Sequence, residues 1–322
     1  MNTEKVNNLV ELFFENYQKQ NKNNKLLISL KDQNNQFTWK ETFHSIKKVS
    51  SEIKKYLKKG DRCLLISENR PEWFITDLSI MFSGAITVPA YTTYVERDYE
   101  YIINDCTPRL IFVSNQEQFN KVKNIINKKQ FIEKIFSFEE LDLDKNKYIN
   151  LKELLLNLDY DDESFPKLDL KRIDPACIIY TSGTQGNPKG VILSHGGILN
   201  NCEGALDILK PLITNQTRFL TWLPLSHSYE HTVQFVQISI GAKVFYAESI
   251  DKLLKNISEC SPHIMTAVPR FYQNLYQKIN TTFNKAKGFK KILVSNTIKL
   301  GIKNFRKDNQ IQLSSKCLSS PQ

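Results

Sequence analysis

Short apolar runs alternate with amphipathic stretches along most of the chain, and the alternation predicts its elements in order. Leu26-Leu27-Ile28 reads as a strand, the polar Asp32 to Gln36 cluster as a turn, and Thr38-x-x-Glu41 as a capping box. The helix it opens puts Phe43, Ile46, Val49, Ile53 and Leu57 on one face and ends near Gly60. Strand Cys63 to Ser67 follows, then Asn69-Arg70-Pro71, where an Asn cap and an early proline start a helix through Phe82, stopped by Gly84. Next come strand Ile86 to Val88, a helix near Tyr99 to Asn104, strand Leu110 to Val113, a basic helix near Lys121 to Lys128, and strand Phe131 to Phe138. Such β-α alternation predicts an α/β fold with mainly parallel sheets.

The polar, acidic stretch from Asp142 to Asp174 is the expected boundary between two β-α lobes, approximately 1–165 and 166–322. Beyond it, strand Ala176 to Tyr180 enters a glycine-rich loop and strand Val191 to Leu193 leaves it. Further strands are expected near Phe219, Val244 and Ile264. At 322 residues, 41% apolar and 24% charged, the chain can bury a sizeable core.

A net charge of +10 raises the question of nucleic acid, but the excess is local. Residues 281–322 hold nine Lys/Arg, from Lys285 to Lys316, against Asp308 alone. The body is close to neutral, so no nucleic-acid partner is expected. Six cysteines without a CxxC pair, and an opening that does not resemble a signal peptide, lead to the expectation of reduced thiols in a cytoplasm. The longest weakly polar run, Leu78 to Ala90, falls short of the about twenty residues a membrane span needs.

Glycine is scarce, 11 of 322, yet six lie close together: Gly183, Gly186, Gly190, Gly196, Gly197 and Gly204. The segment Tyr180-Thr-Ser-Gly-Thr-Gln-Gly-Asn-Pro-Lys-Gly190 offers hydroxyls, a permissive backbone and one lysine, which are what a polyphosphate requires. It is not a Walker loop, because Pro188 and Gly190 stand where glycine and Ser/Thr belong. Nor is it GxGxxG, because Gln185 replaces the second glycine. The β-type run Val191-Ile192-Leu193 comes next, so the loop must grip with its own groups rather than a helix N-terminus. A plain hairpin rich in turn residues is the other reading.

This loop resembles the phosphate-binding signature of the AMP-forming adenylating enzymes. Asn69-Arg-Pro-Glu-Trp73, Gly84 through Val88-Pro-Ala-Tyr-Thr-Thr93, Leu223-Pro-Leu-Ser-His-Ser-Tyr-Glu230 and Ala267-Val-Pro-Arg270 narrow the resemblance to long-chain fatty acyl-CoA synthetases, over roughly Phe37 to Lys307. The resemblance implies part of the large N-terminal domain of an adenylating enzyme. It also implies two steps: a fatty carboxylate attacks the ATP α-phosphate to give acyl-AMP, and the CoA thiol then displaces AMP. By the same resemblance Thr181, Ser182, Gly183, Thr184 and Gly186 would hold the β- and γ-phosphates, and Lys189 would offset charge on departing pyrophosphate. His227 would sit near the junction of acyl and CoA pockets, and Arg270 also matches. ATP, Mg2+ and CoA are implied as cofactor or cosubstrates, and no residue is assigned as a metal ligand.

Position 231 is His where these long-chain enzymes usually carry Arg, which leaves the local charge pairing open. The family's adenine-binding glycines, Tyr-Gly-x-Thr-Glu motif, ribose aspartate and small C-terminal domain with its lysine do not follow Gln322. The expectation is therefore an N-terminal fragment, inactive alone, from a truncated gene model, a split gene or a decaying one, and in a split gene a second polypeptide would complete the enzyme. Two other classes stay open. His227-x-x-Glu230-His231 fits the H-x-x-E-H pattern of a zinc metallopeptidase. In the basic tail, Phe289, Ile292, Leu293, Ile298, Leu300 and Ile302 interleave with Lys290, Lys291, Lys299 and Lys303, as in a module lying on the inner face of a membrane.

Overall fold

The computed structural model describes residues 6–156, 158–160, 162–165, 168–181, 188–284, 292–293, 295–301 and 303–304. The described chain divides after Thr266 into two compact units. In chain order the first runs α1 (Leu9–Lys19), β1 (Lys25–Ser29), β2 (Gln36–Thr38), α2 (Trp39–Ile53), β3 (Arg62–Ile66), α3 (Pro71–Phe82), β4 (Ile86–Ala90) and α4 (Glu96–Cys106). It continues with β5 (Leu110–Val113), α5 (Gln116–Asn120), α6 (Lys123–Ile126), β6 (Lys134–Ser137), β7 (Tyr148–Asn150), α7 (Leu151–Leu154), β8 (Pro175–Thr181) and β9 (Lys189–Ser194). Then come α8 (His195–Leu209), β10 (Arg218–Thr221), α9 (Ser228–Ser239), β11 (Lys243–Tyr246), α10 (Leu253–Cys260) and β12 (Ile264–Met265). The second unit holds α11 (Pro269–Asn284) and the helical residues 292–293, 295–301 and 303–304.

Two sheets form, and both are mainly parallel, as the alternation predicts. The larger has the order β7-β6-β5-β3-β4-β8-β9, with only the β8–β9 pair antiparallel. The smaller is β12-β10-β11-β1-β2, with only β1–β2 antiparallel. Each sheet takes strands from both sides of residue 165. The first-half strand β1 pairs with β11, and β8 and β9 extend the sheet begun by β3 to β7. The acidic stretch around that position is packed rather than slack. Phe165 stacks between Phe14 and Phe82 at 4.0 and 5.3 Å, while Asp162 pairs with Lys47 and Glu163 with Lys22.

The core explains the strand composition. One apolar cluster joins the facing sides of the sheets, with Leu27 and Val244 from the small one and Leu65, Phe112 and Ile179 from the large one, through Trp39, Trp73 and Phe235 on the helices between. The far face of the large sheet packs Ile66, Val113 and Tyr180 against Tyr99, Ile102 and Ile103 of α4. Strands covered on both faces read as continuous apolar runs, and each large side chain fully buried this way contributes roughly 1.5–3 kcal/mol.

Local chemistry sets several boundaries. Thr38 and Glu41 form both bonds of the capping box. The helix ends at Ile53, short of Gly60, whose φ of +84° and N–H bond to Gly84 O instead close a turn. Asn69 is not the cap of α3. Arg70 holds that place, and the Asn69 side chain bridges Leu223 O and Leu225 N–H at 2.6 and 3.0 Å. The expected basic helix is reduced to the four residues of α6, preceded by the short α5, and β6 is shorter than the apolar run suggests. Pro89 lies inside the sheet, where a missing N–H would break a ladder. It pairs with Leu65 on the β3 side, while on the other side the ladder to β8 registers only at Thr87 and Cys177.

Candidate functional site

The glycine-rich segment is carried by a two-stranded antiparallel hairpin. Its last registered pair is Thr181 opposite Lys189, and both side chains are exposed. The strands the sequence places before and after the loop are therefore present. Ser182, Gly183, Thr184 and Gly186 lie outside the described residues. Gly190, opposite Tyr180, is required by space: a Cβ there would stand 2.9 Å from Ile178 Cγ2 and 3.2 Å from Tyr180 Cζ.

A second constellation forms where β10 passes into α9. His227 is the N-cap of α9, its exposed ring accepting the Tyr229 N–H on Nδ1 at 3.2 Å. In a neutral ring that leaves the proton on Nε2, so His227 presents a donor outward. Glu230, one turn on, is buried. It accepts the Thr266 hydroxyl at 2.7 Å on Oε2, and Trp222 Nε1 donates to Thr266 O at 2.7 Å. Burial pushes the Glu230 carboxyl up to about 7, against the opposing effect of the Thr266 bond.

His231 is fully buried, with Nε2 2.9 Å from Asp77 Oδ2 on α3, its ring edge-on to Trp73 at 5.2 Å and stacked on Phe235. Burial alone would lower its pKa. The Asp77 carboxylate, with Cys177 beside the ring, reverses this and holds it well above the ordinary histidine value. The charge pairing left open by histidine at 231 is thus made inside the core, on Asp77. The H-x-x-E-H residues consequently have separate partners: backbone for His227, Thr266 for Glu230, Asp77 for His231. Among the described residues no group of three or more His, Cys, Asp or Glu could hold a metal ion.

The carboxyl ends of β3, β4, β10 and β11 converge on a cleft of about 350 Å³, the place where open parallel sheets bind ligands. Glu68, Asn69, Tyr91, Trp222 and Glu248 line it, as do Pro224 and Ser226 on the segment leading to His227. Glu68 is held by Ser114 and Gln118 at 2.6 and 2.9 Å.

A family model described as AMP-binding enzyme matches residues 14–310. The chain belongs to the AMP-binding enzyme family. Long chain acyl-CoA synthetase 3 of Arabidopsis thaliana is 28% identical over 284 residues, 84% of this chain and 42% of the relative. Fatty acyl-CoA synthetase A of Dictyostelium discoideum is 29% identical over 245 residues, 74% of this chain and 36% of the relative. The chain thus spans less than half the length of these curated relatives. The luciferase-like enzyme from the nonluminescent Zophobas morio mealworm superposes with a TM-score of 0.71 over 84% of this chain and 61% of that one, at 20% identity, a likeness of fold.

In this member of the AMP-binding family, Arg270 is exposed in the first turn of α11, which Ala267-Val-Pro-Arg270 opens. Of the basic tail, Ile292, Leu293, Ile298 and Leu300 are exposed, while Phe289, Lys290, Lys291 and Ile302 lie outside the described residues. No helix among the described residues is long and apolar enough to cross a membrane. The five described cysteines, Cys63, Cys106, Cys177, Cys202 and Cys260, are free and buried. Sequence reasoning missed Asp77, because it acts through His231, 154 positions away in the chain, and no local pattern marks it.

Proposed function

We propose that this chain supplies the phosphate-gripping part of an ATP-dependent long-chain fatty acid–CoA ligase, which forms acyl-AMP and pyrophosphate and then acyl-CoA. The observation that carries this reading is the exposed pairing of Thr181 with Lys189 at the mouth of the glycine loop, in a chain whose relatives are named long-chain acyl-CoA synthetases. MgATP enters as substrate, the metal riding on the phosphates. Thr181, with Ser182, Thr184 and the backbone at Gly183 and Gly186, holds the β- and γ-phosphates, and the Lys189 ammonium offsets charge building on the leaving pyrophosphate. His227, with its Nε2–H outward, offers a hydrogen bond where the acyl group meets the CoA thiol.

Because the match covers less than half of each relative, the 322-residue chain by itself binds MgATP weakly and makes no acyl-CoA. Calorimetry of the chain with MgATP and with inorganic tripolyphosphate tests the grip, and weak binding of both is expected. Pyrophosphate release from ATP and palmitate tests the incompleteness. No binding of either ligand would remove the first claim, and robust release by the pure chain the second.

A further inference from the structure

Two strands hold the phosphate loop, yet they are weakly tied to the sheet that carries them. β8 registers with its neighbour β4 only at Thr87 and Cys177, and β9 is an edge strand. Between Ile178 and Leu193, the described residues reach the rest of the protein by side-chain hydrogen bonds through the Tyr180 hydroxyl, which donates to Asp105 Oδ2 at 2.5 Å and also meets the Cys106 thiol. We propose that Tyr180 is a positioning residue that locks the stem of the phosphate hairpin onto the C-terminal end of α4 through Asp105. The proposal rests on the reading of the loop as a phosphate grip, and it adds what holds that grip in place.

Three observations make this a built device. Tyr180 directly precedes Thr181 and is 3% exposed, its ring lying close over Gly190 on the opposite strand, where a Cβ would stand 2.9 Å from Ile178 Cγ2 and 3.2 Å from Tyr180 Cζ. A shift of the ring would therefore move both ends of the loop, Thr181 on one strand and Lys189 on the other. The receiving end is itself fixed. α4 closes on Thr107 in the left-handed region at φ +43°, and Arg62 of β3 clasps the turn, donating from Nε to Cys106 O at 2.7 Å and from Nη2 to Thr107 Oγ1 at 2.5 Å. The hydroxyl also meets the buried Cys106 thiol, whose pKa burial pushes up to about 12, so that side of the ring faces a neutral group.

Variants of the full 322-residue chain test the lock. Tyr180→Phe removes only the hydroxyl, Asp105→Ala removes the acceptor, and Asp105→Asn keeps an acceptor oxygen. Tripolyphosphate affinity, read by calorimetry, is expected to fall about three- to tenfold in Tyr180→Phe and Asp105→Ala, no further in the double variant, and to stay near wild type in Asp105→Asn. Amide hydrogen exchange gives a readout independent of ligand. Exchange at 178–181 and 189–192 should quicken in the first two variants and not in Asp105→Asn, with β3 and β5 unchanged. Unchanged exchange and affinity in Tyr180→Phe, or an Asp105→Asn variant as impaired as Asp105→Ala, would overturn the proposal. If wild type binds no tripolyphosphate, the phosphate reading falls, and exchange still decides the lock: faster hairpin exchange in Tyr180→Phe supports it, and unchanged exchange overturns it.

Discussion

His231 and Asp77 are both fully buried and 2.9 Å apart, so neither has water to fall back on when the other is lost. Asp77 Oδ1 and His231 Nδ1 already lack a hydrogen-bond partner among the described residues, which leaves the single Nε2–Oδ2 contact to compensate the buried carboxylate. Removing one member of such a pair costs about 3–5 kcal/mol, so His231→Leu should lower unfolding free energy by roughly that amount. His231→Gln, which can keep an N–H on Asp77 without the charge, should cost less. The pH dependence is the sharper test. The folded pKa of His231 lies above its unfolded value of 6.5, so the pair contributes fully below pH 6.5 and loses its contribution as pH rises through the folded value. The loss amounts to about 1.4 kcal/mol per pH unit across that window. Urea denaturation of wild type and both variants between pH 6 and 9 measures it, as the difference between curves, so other titrating groups cancel. A difference that does not shrink as pH rises, or a His231→Leu cost below about 1 kcal/mol, would refute the reasoning.

In the chain joined to the C-terminal part of a long-chain acyl-CoA synthetase, Lys189→Ala should slow acyl-adenylate formation about ten- to a hundredfold and spare CoA transfer from preformed acyl-adenylate. Equal losses in both half-reactions would make Lys189 a support of the fold. Gly190→Ala drives a methyl into Ile178 and the Tyr180 ring and should cost about 1–3 kcal/mol in urea denaturation, together with weaker tripolyphosphate binding. Glu230 has a folded pKa of about 7, above its ordinary 4.5, so the carboxyl favours folding below pH 4.5 and that contribution is lost as pH rises through 7. Glu230→Gln should therefore flatten the stability profile between those limits, and an unchanged slope would place its carboxylate in contact with water. His195 works in the opposite direction. Its pKa is lowered to about 4 by burial, so its contribution is present above pH 6.5 and lost as pH falls through 4, and His195→Gln should reduce acid sensitivity in that range.

The strands were legible because burial on both faces demands runs such as Leu110-Ile-Phe-Val113 and Arg62-Cys-Leu-Leu-Ile66, and those runs need no partner to be recognised. Capping chemistry was legible at Thr38 and Glu41 for the same reason: it is complete within four residues. Sheet membership was not. Nothing within Leu26-Leu27-Ile28 says that its parallel partner is β11, more than two hundred positions away, and the acidic stretch that looked like a boundary is pinned by Lys22, Lys47 and Lys59 from earlier elements. Asn69 shows how a local rule can be outvoted. It stands where a cap is expected, but the carbonyl of Leu223 and the N–H of Leu225 bind its amide more completely than a helix end could.

The candidate site divides along the same line. The chemistry proposed for Thr181, Lys189 and the glycines is local, since a phosphate would be met by side chains and backbone that follow one another closely in the chain, and so the sequence displays it. What holds that chemistry in place is not local. Pro89 lacks the N–H that would extend the ladder from β4 to β8, so the end of β8 is released from its neighbour after Cys177. A hairpin freed in this way can reach a ligand, but it needs another anchor if Thr181 and Lys189 are to keep their spacing. Tyr180 provides one by turning away from the ladder to Asp105, and Gly190 provides the space for its ring. The proline, the tyrosine and the glycine lie on three strands, so the hairpin's freedom, its anchor and the space for that anchor's ring come from separate places in the sheet.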